Sequence, residues 1–148
     1  MEFTTSVDIA ADADTVWAAL ADPTTWPAWM PHVKDVTTND AYAREGAQYK
    51  VAQSWYRMND QTIFITRMDA PREFAFTAGT TAGGISFTYT LAETLGRVRL
   101  ECVMRMEDGF AKLGGAILGG SYQSALQDEA VALRDYCERM APQDVVQH

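Results

Sequence analysis

The segment RVRLECVMRM, Arg97 to Met106, alternates without a break. Val98, Leu100, Cys102, Met104 and Met106 fall on one side of an extended chain, and Arg97, Arg99, Glu101 and Arg105 fall on the other. Successive side chains of a strand point to opposite faces, so this segment is a strand with one dry face and one wet face. A dry face must be covered, and that requirement constrains the rest of the chain. The preceding ISFTYTL repeats the pattern with Ile85, Phe87, Tyr89 and Leu91, and Leu95-Gly96 joins the two as a tight turn. Phe74 and Phe76 share a face of another strand, entered through the turn at Ala70-Pro71-Arg72. Ala47 to Arg57 is predicted as a strand with Tyr49, Val51, Gln53 and Trp55 on one face, followed by a turn at Asn59-Asp60. Val33 to Thr38 and Glu2 to Ala10 are two more strands. Thr62 to Met68 is apolar on both faces (Ile63, Phe64, Ile65), so its parity stays open. Short turns between such strands imply antiparallel hairpins.

The cover lies at the other end. Beyond Asp108-Gly109, apolar residues recur at Leu113, Ile117, Leu118, Tyr122, Leu126, Leu133, Tyr136, Cys137 and Met140. Gln123, Gln127, Arg134, Asp135 and Glu138 take the opposite face, and Pro142 stops the run. That spacing is an amphipathic helix. Between the first two strands, ADADTVWAALAD reads as a helix with Asp12 or Asp14 as its cap. Asp22-Pro23 opens a second short helix, TTWPAWMPH, that ends near Pro31. The expected architecture is α+β: a curved antiparallel sheet of about seven strands wrapped around one long C-terminal helix. At 148 residues the chain is expected to form one domain, residues 1–148.

The glycine-rich start of the last helix, GFAKLGGAILGG, poses a separate question, because glycine inside a helix costs about 1 kcal/mol relative to alanine. Membrane insertion is not expected: the apolar run from Leu113 to Gly120 is far shorter than the roughly 20 residues a bilayer requires. A phosphate loop is equally unsupported, since no GK[ST] or GxGxxG accompanies the glycines. A net charge of −8 argues against nucleic acid and against anionic membrane surfaces. Cys102 and Cys137 match no metal spacing and read as two buried thiols of a reducing compartment. The start MEFTTSVDIA lacks the charge and apolar run of a signal peptide, so a cytoplasmic location is expected. Nothing in the sequence fixes an oligomeric state.

This order of elements resembles the START-like superfamily, also called SRPBCC or helix-grip, and within it the polyketide cyclase/dehydrase-like branch. The resemblance is carried by the opening strand into VWAALAD (Val16 to Asp22) and by WPAWMP (Trp26 to Pro31). Gly46, DAPREFAF (Asp69 to Phe76) and DGFAKLGGAILGG running to CERM complete it. It implies a deep apolar cavity between sheet and helix. It also implies a hydrophobic, polyketide-like or polycyclic small molecule as partner, and cyclisation or dehydration without a cofactor. Binders and enzymes share such folds, so a non-catalytic carrier or sensor stays open. Glycines at the helix start are then read as room beside the cavity mouth, or simply as close packing on the sheet. Many relatives carry a histidine on the strand matching ISFTYTL; here Thr88, Tyr89 and Thr90 stand there, and that histidine's role does not transfer.

Candidate residues follow from the inward faces. No metal site is expected, because His32 and His148 are far apart in sequence. His32 is a neutral-pH base candidate near the expected mouth. Tyr89, Tyr122 and Gln53 are candidates to orient a carbonyl or stabilise an enolate, or are core groups whose polar tips find other partners. The expected ligand-binding set is Trp26, Trp29, Met30, Tyr49, Trp55, Phe74, Phe76, Phe87, Met104, Phe110, Leu113, Ile117, Leu118 and Leu126. Trp26, Trp29 and Met30 read as a gate or a plug, with Phe110 and Leu113 opposite. Arg67 becomes an anion or carbonyl clamp if its strand turns it inward. Glu129, on the inner stripe between Leu126 and Leu133, becomes an acid/base candidate if buried.

Overall fold

A computed structural model describes residues 2–53, 61–80, 83–106 and 116–141. The chain opens with strand β1 (Glu2–Ile9), helix α1 (Ala13–Leu20) and a 3-10 helix (Pro23–Ala28). Six strands follow: β2 (Val33–Thr37), β3 (Gln48–Gln53), β4 (Gln61–Asp69), β5 (Glu73–Thr80), β6 (Gly83–Thr94) and β7 (Arg97–Met106). Helix α2 (Ala116–Met140) comes last. The strands form one antiparallel sheet in the order β1-β7-β6-β5-β4-β3-β2. The first strand thus sits on one edge, α1 and the 3-10 helix carry the chain to the other edge, and a meander returns to pair β7 with β1. This is the α+β architecture expected from the alternation, and it matches the helix-grip fold that the resemblance implies.

Local chemistry explains the joints. Asp12 caps α1 through Thr15 N–H at 2.8 Å, and Glu93 accepts a second first-turn hydrogen bond from Ala13 N–H. Asp22 caps the 3-10 helix, with Pro23 in its first turn. The carbonyls that end α1 are taken by side chains: Trp26 Nε1 donates to Leu20 at 3.0 Å and Trp29 Nε1 to Ala19 at 3.3 Å. Helix ends leave such carbonyls without helical partners, so these indoles serve as caps as well as core. The second short helix is therefore a 3-10 segment ending at Ala28, earlier than Pro31.

The inward face of β7 is as expected: Val98, Leu100, Cys102, Met104 and Met106 are all buried. Strand β4 resolves its own ambiguity. Ile63 and Ile65 are buried and Phe64 points outward. A register shift between Ile65 and Arg67 then resets the parity, so Met68 lies opposite Phe74 and Arg67 opposite Ala75. A β-bulge adds one residue to one strand and moves every later side chain to the other face. Arg67 consequently lies outside, pairing with Glu73 at 3.0 Å and Asp69 at 3.9 Å. It does not reach the interior, and the clamp expectation falls.

Helix α2 lays Tyr122, Leu126, Ala130, Leu133 and Cys137 on the sheet's concave side. Met140, expected on the same stripe, is 62% exposed, because the helix's last turn runs past the end of β1. Along β1 the helix is fastened by polar contacts. Gln123 Nε2 donates to the Thr4 carbonyl at 3.0 Å, the Thr5 hydroxyl donates to Gln127 Oε1, and Ala10 N–H donates to Glu138 at 2.8 Å. Phe3 and Tyr122 pack beside them with ring centroids 6.2 Å apart.

Candidate functional site

Away from β1, the sheet curves off the helix and leaves a cavity of about 310 Å³. Such a volume is in the range of small-molecule sites. Its floor comes from Val51 and Ile63 on neighbouring strands, then Phe76, Ala78, Ile85, Phe87 and Met104. Trp26, Met30, Pro31, His32 and Val33 form one wall, and Gln61 stands at an end of the sheet. Helix α2 supplies the opposite wall with Ser124, Ala125, Leu126, Asp128 and Glu129.

The floor is apolar, and its two aromatic rings meet because inward positions of adjacent strands face each other across the ladder. Phe76 lies directly opposite Phe87, and their rings stack at 4.9 Å and 17°. Trp26 packs against Phe76 at 5.1 Å with the rings tilted by 47°. Phe74 and Tyr89, two register pairs further along on the same face, sit behind these rings, with Trp17 edge-on to Phe74 at 6.2 Å.

Six of the expected binding residues border the cavity, Trp26, Met30, Phe76, Phe87, Met104 and Leu126, as does the base candidate His32. Trp29, Tyr49, Phe74, Tyr89 and Tyr122 are buried but lie outside the cavity lining. Tyr122 is drawn toward Phe3 on the fastened side of the helix. Trp26, Trp29 and Met30 are all buried, and Trp26 and Met30 face the cavity. For Gln53, Ile117 and Leu118 only the backbone is described; Trp55, Phe110 and Leu113 lie outside the described residues, as do most of the helix-start glycines. His32 is exposed at the rim and adopts a left-handed backbone, φ 68°, a conformation in which histidine is enriched among non-glycine residues.

The polar centre is a group that the inward periodicity named only conditionally. Glu129 borders the cavity, and the Tyr89 hydroxyl donates a hydrogen bond to its Oε1. Tyr89 itself is 2% exposed and lies one strand over from Cys102, its register partner. Burial pushes the Glu129 carboxyl up to about 7, while the Tyr89 hydrogen bond pulls it down. Burial also raises Tyr89 and Cys102 well above their ordinary values, with the Glu129 charge adding to both. Some accessible surface remains on Glu129, as befits a side chain that faces a cavity. Cys137 is pushed up to about 12 by burial and by Glu138, so it is an unreactive thiol.

Sequence reasoning passed over Ser124, Ala125 and Asp128. They flank the apolar stripe at i, i+4 spacings, Ser124 with Asp128 and Ala125 with Glu129. That second, small-and-acidic face of the helix was the available signal. Among the described residues, no group of three His, Cys, Asp or Glu is placed to hold a metal ion. No helix among them is long and apolar enough to cross a membrane.

Comparison with known proteins agrees with this geometry. The profile of the family described as "Polyketide cyclase / dehydrase and lipid transport" matches residues 1–138. The chain belongs to this family. Several solved structures share the fold of this family member. The Zhui aromatase/cyclase from Streptomyces sp. R1128 superposes with a TM-score of 0.79 at 15% identity, covering 97% of each chain. A START superfamily protein from Mycobacterium smegmatis gives 0.73 at 15% identity, covering 95% of this chain and 99% of that one. The di-domain ARO/CYC BexL gives 0.74 at 17% identity over 91% of this chain, which spans only 45% of that longer protein. No curated protein matches the chain.

Proposed function

We propose that this protein binds a hydrophobic, polyketide-like or polycyclic small molecule in the cavity and catalyses its cofactor-free cyclisation or dehydration. One observation carries the reading: a carboxyl whose pKa is raised to about 7 stands on the cavity wall above an apolar floor. A general acid/base works best when its pKa lies near the working pH. In a cyclisation of this kind, Glu129 takes a proton from a carbon between two carbonyls. The carbanion closes on a second carbonyl carbon, and the new alkoxide takes the proton back. Loss of that hydroxyl with a neighbouring proton releases water. The apolar floor folds the chain and excludes competing water.

Tyr89 is a positioning residue in this scheme. Its hydroxyl aims the carboxyl, and it does not border the cavity itself. His32 on the rim is a second proton-transfer group. Tyr122 has no part, since it faces Phe3.

Mass spectrometry of the protein mixed with small-molecule extract from its source organism tests the reading. A compound consumed in excess of protein, giving a mass-neutral or water-loss product, supports turnover. Glu129→Gln is then expected to slow that turnover about 100-fold. A compound retained one-to-one and unchanged makes the protein a carrier or sensor.

A further inference from the structure

The cavity carries ionisable groups of an unusual balance. Among its described lining residues they are His32, Asp128 and Glu129, with no lysine or arginine. The arginines of the surrounding elements are spent outside, Arg67 on Glu73, Arg99 on Asp8, Arg105 on Glu2 and Arg134 on Asp135. Buried charges in proteins are normally paired. Tyr89 offers Glu129 a hydrogen bond but no positive charge. Asp128 precedes Glu129 on the same helical wall, and Ser124 lies one turn back.

We propose that the cavity selects hydrophobic molecules bearing a basic nitrogen, with the protonated amine seated against Glu129 and Asp128 and the apolar body over Phe76, Phe87 and Met104. The proposal rests on the reading that the cavity holds a ligand, and it names the class. An ammonium group supplies the missing counter-charge and makes charge-assisted hydrogen bonds to the carboxylates. A ligand carboxylate or phosphate meets like charge in a poorly solvated space and is rejected. A neutral alcohol of the same shape gains only the apolar contacts and an ordinary hydrogen bond.

Three probes with one tricyclic body separate these cases: anthracenylmethylamine, anthracenylmethanol and anthracene carboxylic acid. Each is titrated by fluorescence at about pH 8, where Glu129 is ionised and a primary amine keeps its proton. The amine is expected to bind about tenfold tighter than the alcohol, and the acid weakest. Glu129→Gln brings amine and alcohol to within about threefold of each other by lowering only the amine's affinity. Asp128→Asn, at an exposed position, reduces the preference about threefold without risk to the core. Glu101→Gln, which removes an acid from the outer face of β7, leaves the preference unchanged and so excludes a mere effect of the protein's net charge.

Equal binding of amine and alcohol, or a preference that survives both Glu129→Gln and Asp128→Asn, overturns the selection while leaving the cavity reading intact. So does tight binding of the acid, which places a cation from outside the described residues at the cavity. If none of the three binds the wild-type protein, the ligand-cavity reading falls together with the proposal.

Discussion

The two sides of helix α2 are held in different ways. Toward β1 and β7 it is fastened: Gln123, Gln127 and Glu138 reach the first strand and the residue after it, and Leu133 and Cys137 are fully enclosed. Toward β3, β4 and β5 the helix presents Ser124, Ala125, Asp128 and Glu129 to a cavity. The same helix, two residues apart around its circumference, is thus core on one side and binding wall on the other. Fastening along one edge lets the opposite edge stand open without loss of the fold. Only where packing is missing can a half-enclosed carboxyl such as Glu129 meet something other than the protein.

Core truncations should break this symmetry most visibly. Leu133→Ala on the fastened side is expected to lower unfolding free energy by about 3 kcal/mol, since it opens a void in close-packed surroundings. Phe87→Ala removes more atoms yet should cost only about 1–2 kcal/mol, because one side of the ring already faces empty space. Urea denaturation of both variants measures the difference. Equal losses mean that the two sides are packed alike and the comparison fails.

The pH dependence of stability comes next in size, and it belongs to the open side. The Glu129 pKa is about 7 in the folded protein against 4.5 for a free side chain. Between those values the folded state holds a proton that the unfolded state has released. Stability is therefore greatest near the lower end and declines as pH rises to about 7, by about 3 kcal/mol in all. Glu129→Gln keeps an acceptor for Tyr89 but cannot ionise, so this component of the decline should vanish. Denaturation midpoints at about pH 5 and pH 8 test it; an unchanged slope in the variant means that the carboxyl is not shielded from water.

On the fastened side, Gln127→Ala removes the acceptor of the Thr5 hydroxyl and should cost about 1 kcal/mol. Probe binding in the cavity should not change, because Gln127 lies on the far flank of the helix. A coupled loss of affinity would show instead that the fastening sets the cavity's shape.

Much of this was legible in the residues, and the gaps have physical causes. Alternation placed Val98 through Met106 and the Phe74–Phe76 pair correctly, because a sheet with one wet face leaves its period in the sequence. Arg67 was not legible: a bulge carries no local signature here, and Ile63, Phe64 and Ile65 mask the parity it resets. Tyr122 read as inward, and it is buried. Periodicity reports that a helical residue faces the sheet but not which strand it meets, and it meets β1. Glu129 looked conditional for the same reason. Its setting depends on Tyr89, forty positions away in sequence, whose hydroxyl meets it only once the helix crosses the sheet.

The smallest effect lies far from both sides of α2, at the hairpin joining β6 to β7. Thr94 pairs with Arg97, so Leu95 and Gly96 form a two-residue loop. Both have positive φ, 53° and 75°, as a type I′ turn requires. Gly96 adopts this readily, but a leucine there crowds its Cβ against the backbone, and at 96% exposure it recovers nothing by burial. Asparagine tolerates the left-handed region and is favoured at this turn position. Leu95→Asn should therefore raise stability by about 0.5 kcal/mol, read as a small rise in thermal midpoint, with probe affinity unchanged. If stability falls instead, the leucine side chain is in contact with something it stabilises, and the hairpin tip is not the bare turn that its exposure implies.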